Sequence, residues 1–171
     1  QPGASPEVDA VLMAGGEGNG LRPLTGSVPK PMLPVAGRPV MEHIVSQLHE
    51  AGIRRLSIAT NYLGDRIVEH FGDGKRFGLQ IDYLQEDQPL GTAGALRLLR
   101  DPEDNFLVMN GDLLTTLDYH QFFCLHQERE AWATIAVSRR EVKIDYGVVE
   151  LDAGGRLSRY VEKPVIGYHV S

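Results

Sequence analysis

The sequence predicts an α/β protein whose sheet is partly antiparallel. Short apolar runs rich in Val, Ile and Leu alternate with stretches of helical periodicity, which is the pattern of an α/β sheet. A glycine-rich turn over 152–155 separates two of the later runs and predicts a β-hairpin. With 171 residues, 42% of them hydrophobic and 23% charged, the chain suits one globular domain.

The first half of the chain predicts alternating strands and helices. A strand over 9–13 leads into a long loop rich in Gly and Pro over 15–39. A helix over 40–51 stops at Gly52, because glycine adopts the left-handed conformation that ends many helices. The next predicted elements are a strand over 55–60, a helix over 65–71, a strand over 80–85 and a helix over 92–99 with Thr92 as its N-cap.

The second half predicts more strands than helices. An apolar strand over 106–109 ends in Asn110-Gly111-Asp112, and Asp118 caps a helix that runs to about residue 130. The later predicted strands cover 133–137, 147–151 and 157–162, and Tyr168 begins another. Residues 1–7 are interpreted as a linker, and 8–171 as one domain that is truncated at its C-terminus.

Composition and charge exclude several classes of protein. No apolar run is long enough for a transmembrane helix, and no secretory signal is visible near the start, so a membrane partner is not expected. The net charge of -6 argues against general binding to nucleic acid. Cys124 is the single cysteine and cannot form an internal disulfide, which favours a cytoplasmic protein.

A glycine-rich loop directly follows the first strand and predicts binding of an anion. Gly15, Gly16, Gly18 and Gly20 fall within six positions, so backbone N–H groups can approach a phosphate without obstruction by Cβ atoms. Open α/β sheets bind ligands at this end of a strand, which favours phosphate binding over the alternative of a plain surface turn. The spacing matches neither the P-loop nor the dinucleotide fingerprint.

Lys30 stands between two prolines later in the same loop. Pro29 and Pro31 stiffen the backbone, so the ammonium group can be presented at a fixed place against phosphate oxygens. The alternative is an ordinary solvated lysine, which most lysines are.

Several motifs follow one another in the order of a known family. The glycine loop and Lys30 are followed by Gly37-Arg38-Pro39, and later motifs cover 86–94, 110–112, 146–147 and 161–164. Together they resemble the sugar-1-phosphate nucleotidyltransferases, also called nucleotide-sugar pyrophosphorylases, from about residue 8 to the end of the chain. The resemblance implies a Rossmann-like nucleotidyltransferase fold with a mixed, mostly parallel central sheet and helices on both faces.

The resemblance also implies a reaction, in which a sugar 1-phosphate oxygen attacks the α-phosphorus of a nucleoside triphosphate and pyrophosphate leaves. Such a displacement needs alignment and charge neutralisation. The implied catalytic residues are Lys30, Arg22 and Asp112, with Mg²⁺ on Asp112 because this ion accepts one or two carboxylates plus substrate phosphates. The implied nucleotide contacts are Met13, Ala14, Gly15, Gly16, Gly18, Glu86, Pro89, Gly91 and Thr92, and the sugar-phosphate contacts are Gly147, Glu162 and Lys163.

Alternatives stay open at several of these positions. The family loop normally continues Thr-Arg-Leu where this chain has Asn19 and Gly20 before Leu21, so Arg22 is an uncertain substitute for the phosphate-gripping arginine. Asp112 has a structural alternative as a turn aspartate bonded to its own backbone. The chain also ends before the place where family members supply a second metal-binding aspartate, so activity of this fragment by itself is doubtful.

Two rival functions are a non-catalytic nucleotide-sensing or regulatory domain and an NAD-dependent oxidoreductase. The second is disfavoured because the acidic ribose-binding residue is missing at its usual distance. Among partners, the sequence leaves open an upstream regulatory domain and a homo-oligomer.

Glu86 predicts which base the protein prefers. A carboxylate only accepts hydrogen bonds, and guanine presents two adjacent donors, whereas uracil and thymine present carbonyl oxygens beside one N–H. The sequence therefore favours GTP and resembles the mannose-1-phosphate guanylyltransferase-like branch of the family. The alternative is that Glu86 points to solvent and backbone groups near Gly91 read the base, which leaves UTP or dTTP as the substrate.

Overall fold

The computed structural model describes residues 8–88, 90–91 and 93–171, with Asn19 described by its backbone alone. The chain forms two compact units divided after Cys124. The predicted linker over 1–7 and the site residues Pro89 and Thr92 lie outside the described residues.

The strands are β1 Asp9–Met13, β2 Pro34–Val35, β3 Arg38–Pro39, β4 Arg55–Thr60, β5 Gln80–Gln85, β6 Phe106–Asn110, β7 Ser138–Lys143, β8 Val148–Leu151, β9 Leu157–Val161 and β10 Val165–Val170. The α-helices are α1 Val40–Glu50, α2 Gly64–Phe71 and α3 Tyr119–Glu128.

The first unit is built on a four-stranded sheet in the order β5-β4-β1-β6, and all its pairs are parallel. The predicted strands over 9–13, 55–60 and 80–85 are confirmed at both ends. Parallel pairing requires a crossover between neighbouring strands, and α1 and α2 supply two of these connections.

Both faces of this sheet are covered, as the side chains of β1 show. Ala10 and Leu12 point into a core formed with α1 and α2, while Val11 points the opposite way, since successive strand residues face opposite sides. The second face packs on Ala95, which lies in a 3-10 helix, Gly94–Leu98. The predicted α/β fold with helical segments on both faces is therefore confirmed.

The helix predicted over 92–99 is shorter than expected and is a 3-10 helix, and its predicted N-cap, Thr92, lies outside the described residues. Ala93 before it has φ -123° and ψ 3°, outside the α-helical region. The hydrogen bonds that follow join residues three apart, from Leu96 N to the Ala93 oxygen and from Leu99 N to the Leu96 oxygen, both at 3.1 Å. A run of five residues is long enough for a 3-10 turn but leaves little room for α-helical bonding.

Asp118 caps α3 as predicted. Its Oδ1 accepts a hydrogen bond from Gln121 N at 2.9 Å, which satisfies one of the free amides at the start of the helix.

The second unit consists of two antiparallel strand pairs. The predicted hairpin is confirmed as β8 with β9, and Asp152 Oδ1 accepts hydrogen bonds from Gly154 N at 2.8 Å and Arg156 N at 2.9 Å within its turn. The other pair joins β10 to β7. The antiparallel part of the fold thus forms separate two-stranded sheets outside the parallel one.

The predicted strand over 133–137 is wrong, since the strand in this region starts at Ser138. Alternating apolar residues favour an extended conformation, but a strand also needs a hydrogen-bonded neighbour. Pairing of β7 with β10 begins where Ser138 meets Val170. The apolar residues before Ser138 therefore have no hydrogen-bonded neighbour among the described strands.

Candidate functional site

Three parallel strands end at one edge of the central sheet, and the residues after them lie side by side. Met13 at the end of β1 is in register with Ala59 in β4 and with Asn110 in β6. The ladder continues past the strand ends, with Ala14 N donating to the Ala59 oxygen and Gly111 N to the Met13 oxygen, both at 2.9 Å. The glycine loop and the turn after β6 therefore begin at the edge where open α/β sheets bind ligands.

Gly18 holds the glycine loop against the segment that carries Lys30. Its φ is +63°, and a Cβ there would lie 3.0 Å from Thr25 Cγ2 and 3.1 Å from Lys30 Cβ. Thr25 is fully buried, and its hydroxyl donates to the Gly18 oxygen at 2.9 Å. Only glycine combines this left-handed backbone with so close an approach.

Glu86 joins the glycine loop to the segment over 86–91. The residue is 9% exposed, and its Oε1 accepts a hydrogen bond from Leu90 N at 3.1 Å. Its other oxygen lies against Gly15, where an added Cβ would be 2.5 Å from Oε2. The Asn61 amide donates to the Glu86 carbonyl at 2.9 Å. Glu86 therefore does not point to solvent, and it is fixed on both its main chain and its side chain.

Lys30 and Asp112 form an ion pair across the same edge, with 2.5 Å between Nζ and Oδ2. Pro29 and Pro31 are buried on either side of Lys30. The side chains of Lys30 and Asp112 are 44% and 23% exposed, so both remain open to a ligand. The carboxylate pairs with Lys30 rather than with its own backbone, which was the structural alternative.

Gly111 fixes the turn that presents Asp112. It is buried, and a Cβ there would lie 2.6 Å from Met41 Cε on α1. The turn is closed by Leu113 N, which donates to the Asn110 oxygen at 3.3 Å. A side chain at residue 111 would push this turn away from the helix.

These groups surround a cleft of about 460 Å³, within the usual range of small-molecule sites. The cleft brings together nine of the residues that the sequence proposed. The lining residues are Met13, Ala14, Gly15, Gly16, Gly18, Lys30, Pro31, Glu86, Leu90, Gly91, Asn110 and Asp112.

Arg22 is not among the cleft residues. Its guanidinium lies 3.9 Å from the Glu17 carboxylate, and both side chains are 57% exposed. Gly20 is exposed, with no atom within 4 Å of a Cβ built there, so the loop has room for a larger residue at this position.

Gly147, Glu162 and Lys163 lie in the second unit, in or beside its β8–β9 hairpin. The Tyr160 hydroxyl donates to the Glu162 carboxylate, and this bond raises the pKa of Tyr160. A Cβ on Gly147 would meet the same tyrosine ring, so Gly147 and Glu162 both contact Tyr160.

Sequence reasoning missed Asn61 and Leu90. Asn61 follows β4 directly, and a polar residue just after a buried strand at the ligand-binding edge was a usable signal. Leu90 contributes through its backbone N–H. Every residue except proline carries this group, so the residue type at position 90 gives no signal.

Asp112, the metal ligand proposed from the sequence, brings one part-exposed carboxylate to the cleft. No group of three or more His, Cys, Asp and Glu side chains suited to a metal occurs among the residues that the structure describes. One carboxylate in the cleft lining matches the donor set that Mg²⁺ takes together with substrate phosphates.

Every helix in the described part of the chain is too short or too polar to cross a bilayer.

A parallel sheet with a glycine loop, a fixed lysine and an aspartate at its carboxyl edge defines an α/β domain whose candidate ligand cleft lies at that edge. The chain belongs to the nucleotidyl transferase family, whose match covers residues 9–167. Members of this family generally use divalent metal ions.

Named relatives share this region. The chain is 39% identical over 162 residues to a mannose-1-phosphate guanylyltransferase from Mycobacterium tuberculosis, covering 94% of this chain and 45% of that protein. It is 36% identical over 172 residues to a UTP–glucose-1-phosphate uridylyltransferase from Synechocystis, covering 92% and 44%. The chain thus spans less than half the length of these relatives.

A solved structure shares the fold. HddC from Yersinia pseudotuberculosis, crystallised in complex with GMP-PN, superposes with a TM-score of 0.63 at 28% identity. The match covers 94% of this chain and 71% of that one.

Proposed function

We propose that this chain forms the nucleotide-binding part of an enzyme that transfers a nucleotidyl group from a nucleoside triphosphate to a sugar 1-phosphate. The observation that carries the proposal is the cleft in which the glycine loop, Lys30, Asp112 and the Glu86–Leu90 contact meet at the carboxyl edge of the sheet. The activities for which the relatives are named, guanylyl and uridylyl transfer to sugar 1-phosphates, support the same reaction class.

The reaction forms one phosphorus–oxygen bond and breaks another. A sugar 1-phosphate oxygen attacks the α-phosphorus, and the bond to the β-phosphate oxygen breaks with release of pyrophosphate. Backbone N–H groups of Gly15, Gly16 and Gly18 hold the triphosphate, and the Lys30 ammonium offsets the charge that develops on the phosphates. Lys30 serves this role well because Gly18 and the buried prolines fix its backbone.

Asp112 would hold Mg²⁺ together with the triphosphate. A bound magnesium ion supplies neutralisation of phosphate charge and alignment of the reacting groups. In the structure the Lys30 ammonium pairs with the Asp112 carboxylate at 2.5 Å, and with Mg²⁺ held by Asp112 the ammonium would be available to the phosphates. Binding of Mg²⁺ and binding of the nucleotide are then mutually dependent.

GTP is the proposed nucleotide. Glu86 keeps one oxygen on Leu90 N, but each carboxylate oxygen can accept two hydrogen bonds, so both remain acceptors for the paired donors of guanine. The GMP-PN complex of HddC and the guanylyltransferase relative support this choice, and the uridylyltransferase relative keeps UTP as the alternative.

Gly147, Glu162 and Lys163 are proposed to bind the sugar phosphate. The Glu162 carboxylate accepts from sugar hydroxyls, and the Lys163 ammonium pairs with the phosphate. Tyr160 holds the Glu162 carboxylate in place, so it orients the group that would contact the sugar.

A nucleotide panel tests the proposal first at the level of binding. Melting temperature is measured with GTP, UTP, dTTP and ATP, each with and without Mg²⁺. A nucleotide at one hundred times its Kd stabilises the protein by about 2.7 kcal/mol, which corresponds to about 5–10 °C. We expect this shift with GTP and Mg²⁺, and no shift with any nucleotide contradicts the proposal.

Pyrophosphate release then separates an enzyme from a nucleotide-sensing domain. The sensing alternative is favoured by Gly20, which stands where the family has its phosphate-gripping arginine. It is also favoured by Arg22, whose guanidinium lies near Glu17 and outside the cleft lining. Release from GTP in the presence of mannose 1-phosphate or glucose 1-phosphate supports the enzyme. Binding without turnover in a full-length protein supports the sensing domain.

A further inference from the structure

A second cavity lies behind the loop that carries Lys30. It has a volume of about 440 Å³ and separates this loop from α2 and the 3-10 helix Lys75–Phe77. We call it the loop–helix pocket, defined by Ser27, Pro29, Met32, Arg66, His70 and Arg76. Its size suits a small metabolite.

The pocket presents two guanidinium groups. Arg66 on α2 and Arg76 are both exposed, and neither has a carboxylate within ion-pair distance among the described residues. Glu69 on α2 adds one carboxylate to the lining, and Ser27 adds a hydroxyl group. Two cations beside one anion and one hydroxyl favour a ligand that carries both a phosphate and free hydroxyl groups.

Arg76 is held in place before any ligand binds. Its Nη2 donates to the His70 carbonyl at 2.8 Å, and its guanidinium carbon lies 4.8 Å from the centre of the Phe77 ring. His70 is itself fixed, since its Nε2 lies 2.8 Å from a Glu42 oxygen. The bond to His70 uses one of the five N–H donors of the guanidinium, so donors remain for a phosphate.

We propose that the loop–helix pocket binds a phosphate monoester with free hydroxyl groups, separately from the nucleotide cleft. Arg66 and Arg76 hold the phosphate dianion, and the Ser27 hydroxyl donates a further hydrogen bond. Glu69 accepts from the hydroxyl groups of the ligand. The preset position of Arg76 lowers the ordering cost of binding.

The pocket and the nucleotide cleft share one wall. Pro29 and Met32 line the pocket, while Lys30 and Pro31 line the cleft. A ligand against Pro29 therefore changes the conformational freedom of Lys30, and with it the affinity of the cleft for the nucleotide. By linkage, the bound nucleotide changes the affinity of the pocket for its ligand by the same factor. This coupling rests on the proposed function, whereas binding in the pocket does not.

Calorimetric titration with ribose 5-phosphate tests the pocket directly, with ribose and inorganic phosphate as partial probes. We expect ribose 5-phosphate to bind more tightly than either. Arg66→Gln and Arg76→Gln should each weaken binding about tenfold or more, the usual effect of losing a charge-assisted contact. Arg100→Gln removes an exposed arginine outside the pocket lining and should leave binding unchanged.

Equal binding by the wild type, Arg66→Gln and Arg76→Gln overturns the proposal, as does absence of binding in the wild type. Competitive displacement of ribose 5-phosphate by GTP also overturns it, because the ligand then sits in the cleft. Circular dichroism checks that each variant is folded. If Arg76→Gln unfolds, the titration of Arg66→Gln, a substitution at an exposed residue, decides the test by itself.

The coupling is measured as GTP affinity with and without saturating ribose 5-phosphate. We expect a change of threefold or more in the wild type and none in Arg66→Gln. Unchanged GTP affinity at a saturated pocket refutes the coupling alone. Absence of GTP binding refutes the proposed function, and the direct titration with ribose 5-phosphate still decides the pocket.

Discussion

Gly15→Ala should disturb the glycine loop through a single contact. The new methyl carbon would lie 2.5 Å from Glu86 Oε2 and 3.3 Å from Asn61 Cβ, so one of these groups must move. The φ of Gly15 lies outside the left-handed region, so the substitution acts by crowding and not by backbone strain. Glu86 is the group that must shift, because the close contact is to its carboxylate.

The magnitude follows from what holds Glu86. Moving its carboxylate breaks the 3.1 Å hydrogen bond from Leu90 N within a residue that is only 9% exposed. Loss of such a bond costs about 1–3 kcal/mol of folding free energy, which lowers the melting temperature by about 2–12 °C. Displacement of the loop and of the segment over 86–91 should weaken GTP binding about tenfold or more.

Gly16→Ala is the matched control for melting temperature alone, since no atom lies within 4 Å of a Cβ there and the residue is exposed, but Gly16 also lines the cleft and so is no control for GTP affinity. Melting curves and GTP titrations with Mg²⁺ are run on the wild type and both variants. We expect the control to retain its stability. Gly15→Ala with wild-type stability and wild-type affinity would refute the role of the Glu86 contact.

Three further substitutions test the proposed roles of single residues. Asp112→Asn keeps the size of the side chain but removes the charge, so the gain in GTP affinity on adding Mg²⁺ should fall at least tenfold, while the exposed Asp104→Asn should show none of this loss. Gly20→Arg should strengthen triphosphate binding about ten- to a hundredfold, because the position has room for the side chain and a charge-assisted contact is gained. Glu86→Gln keeps an acceptor for Leu90 N and should shift preference away from GTP about threefold or more.

Titrations in which each variant is compared with the wild type check all three. Unchanged Mg²⁺ dependence rules out Asp112 as the metal ligand. No gain in the Gly20 variant means that Arg22 or the loop backbone already holds the phosphates. Tighter binding of UTP or dTTP than of GTP by the wild type shows that the guanine assignment is wrong.

The parallel sheet could be predicted because its two central strands, β1 and β4, carry runs of buried residues. Residues 10–13 form a continuous apolar run, β4 contributes Leu56, Ile58 and Ala59, and residues 10–12 and 58–60 are buried. The run over 133–137 looks the same in sequence, but strand formation depends on a neighbour that the sequence of the segment does not reveal.

The site could be predicted where function constrains residue type. Gly18 and Lys30 belong to motifs whose chemistry needs these residues, and the structure places them in contact. The fixed carboxylate of Glu86 could not be predicted, because its partners are a backbone N–H of Leu90 and the bare Cα of Gly15.

The most direct test of the central claim uses Mn²⁺ with GTP in place of Mg²⁺ and measures broadening of backbone amide signals by NMR. The paramagnetic ion broadens signals close to it. Bound at the carboxyl edge of the sheet, it should broaden Gly15, Gly111 and Asp112. Arg55 and Gln80 pair with each other at the amino ends of β4 and β5, away from this edge, so their amide signals should stay sharp. Broadening centred on Arg55 and Gln80, or sharp signals at Gly111 and Asp112, would contradict the account.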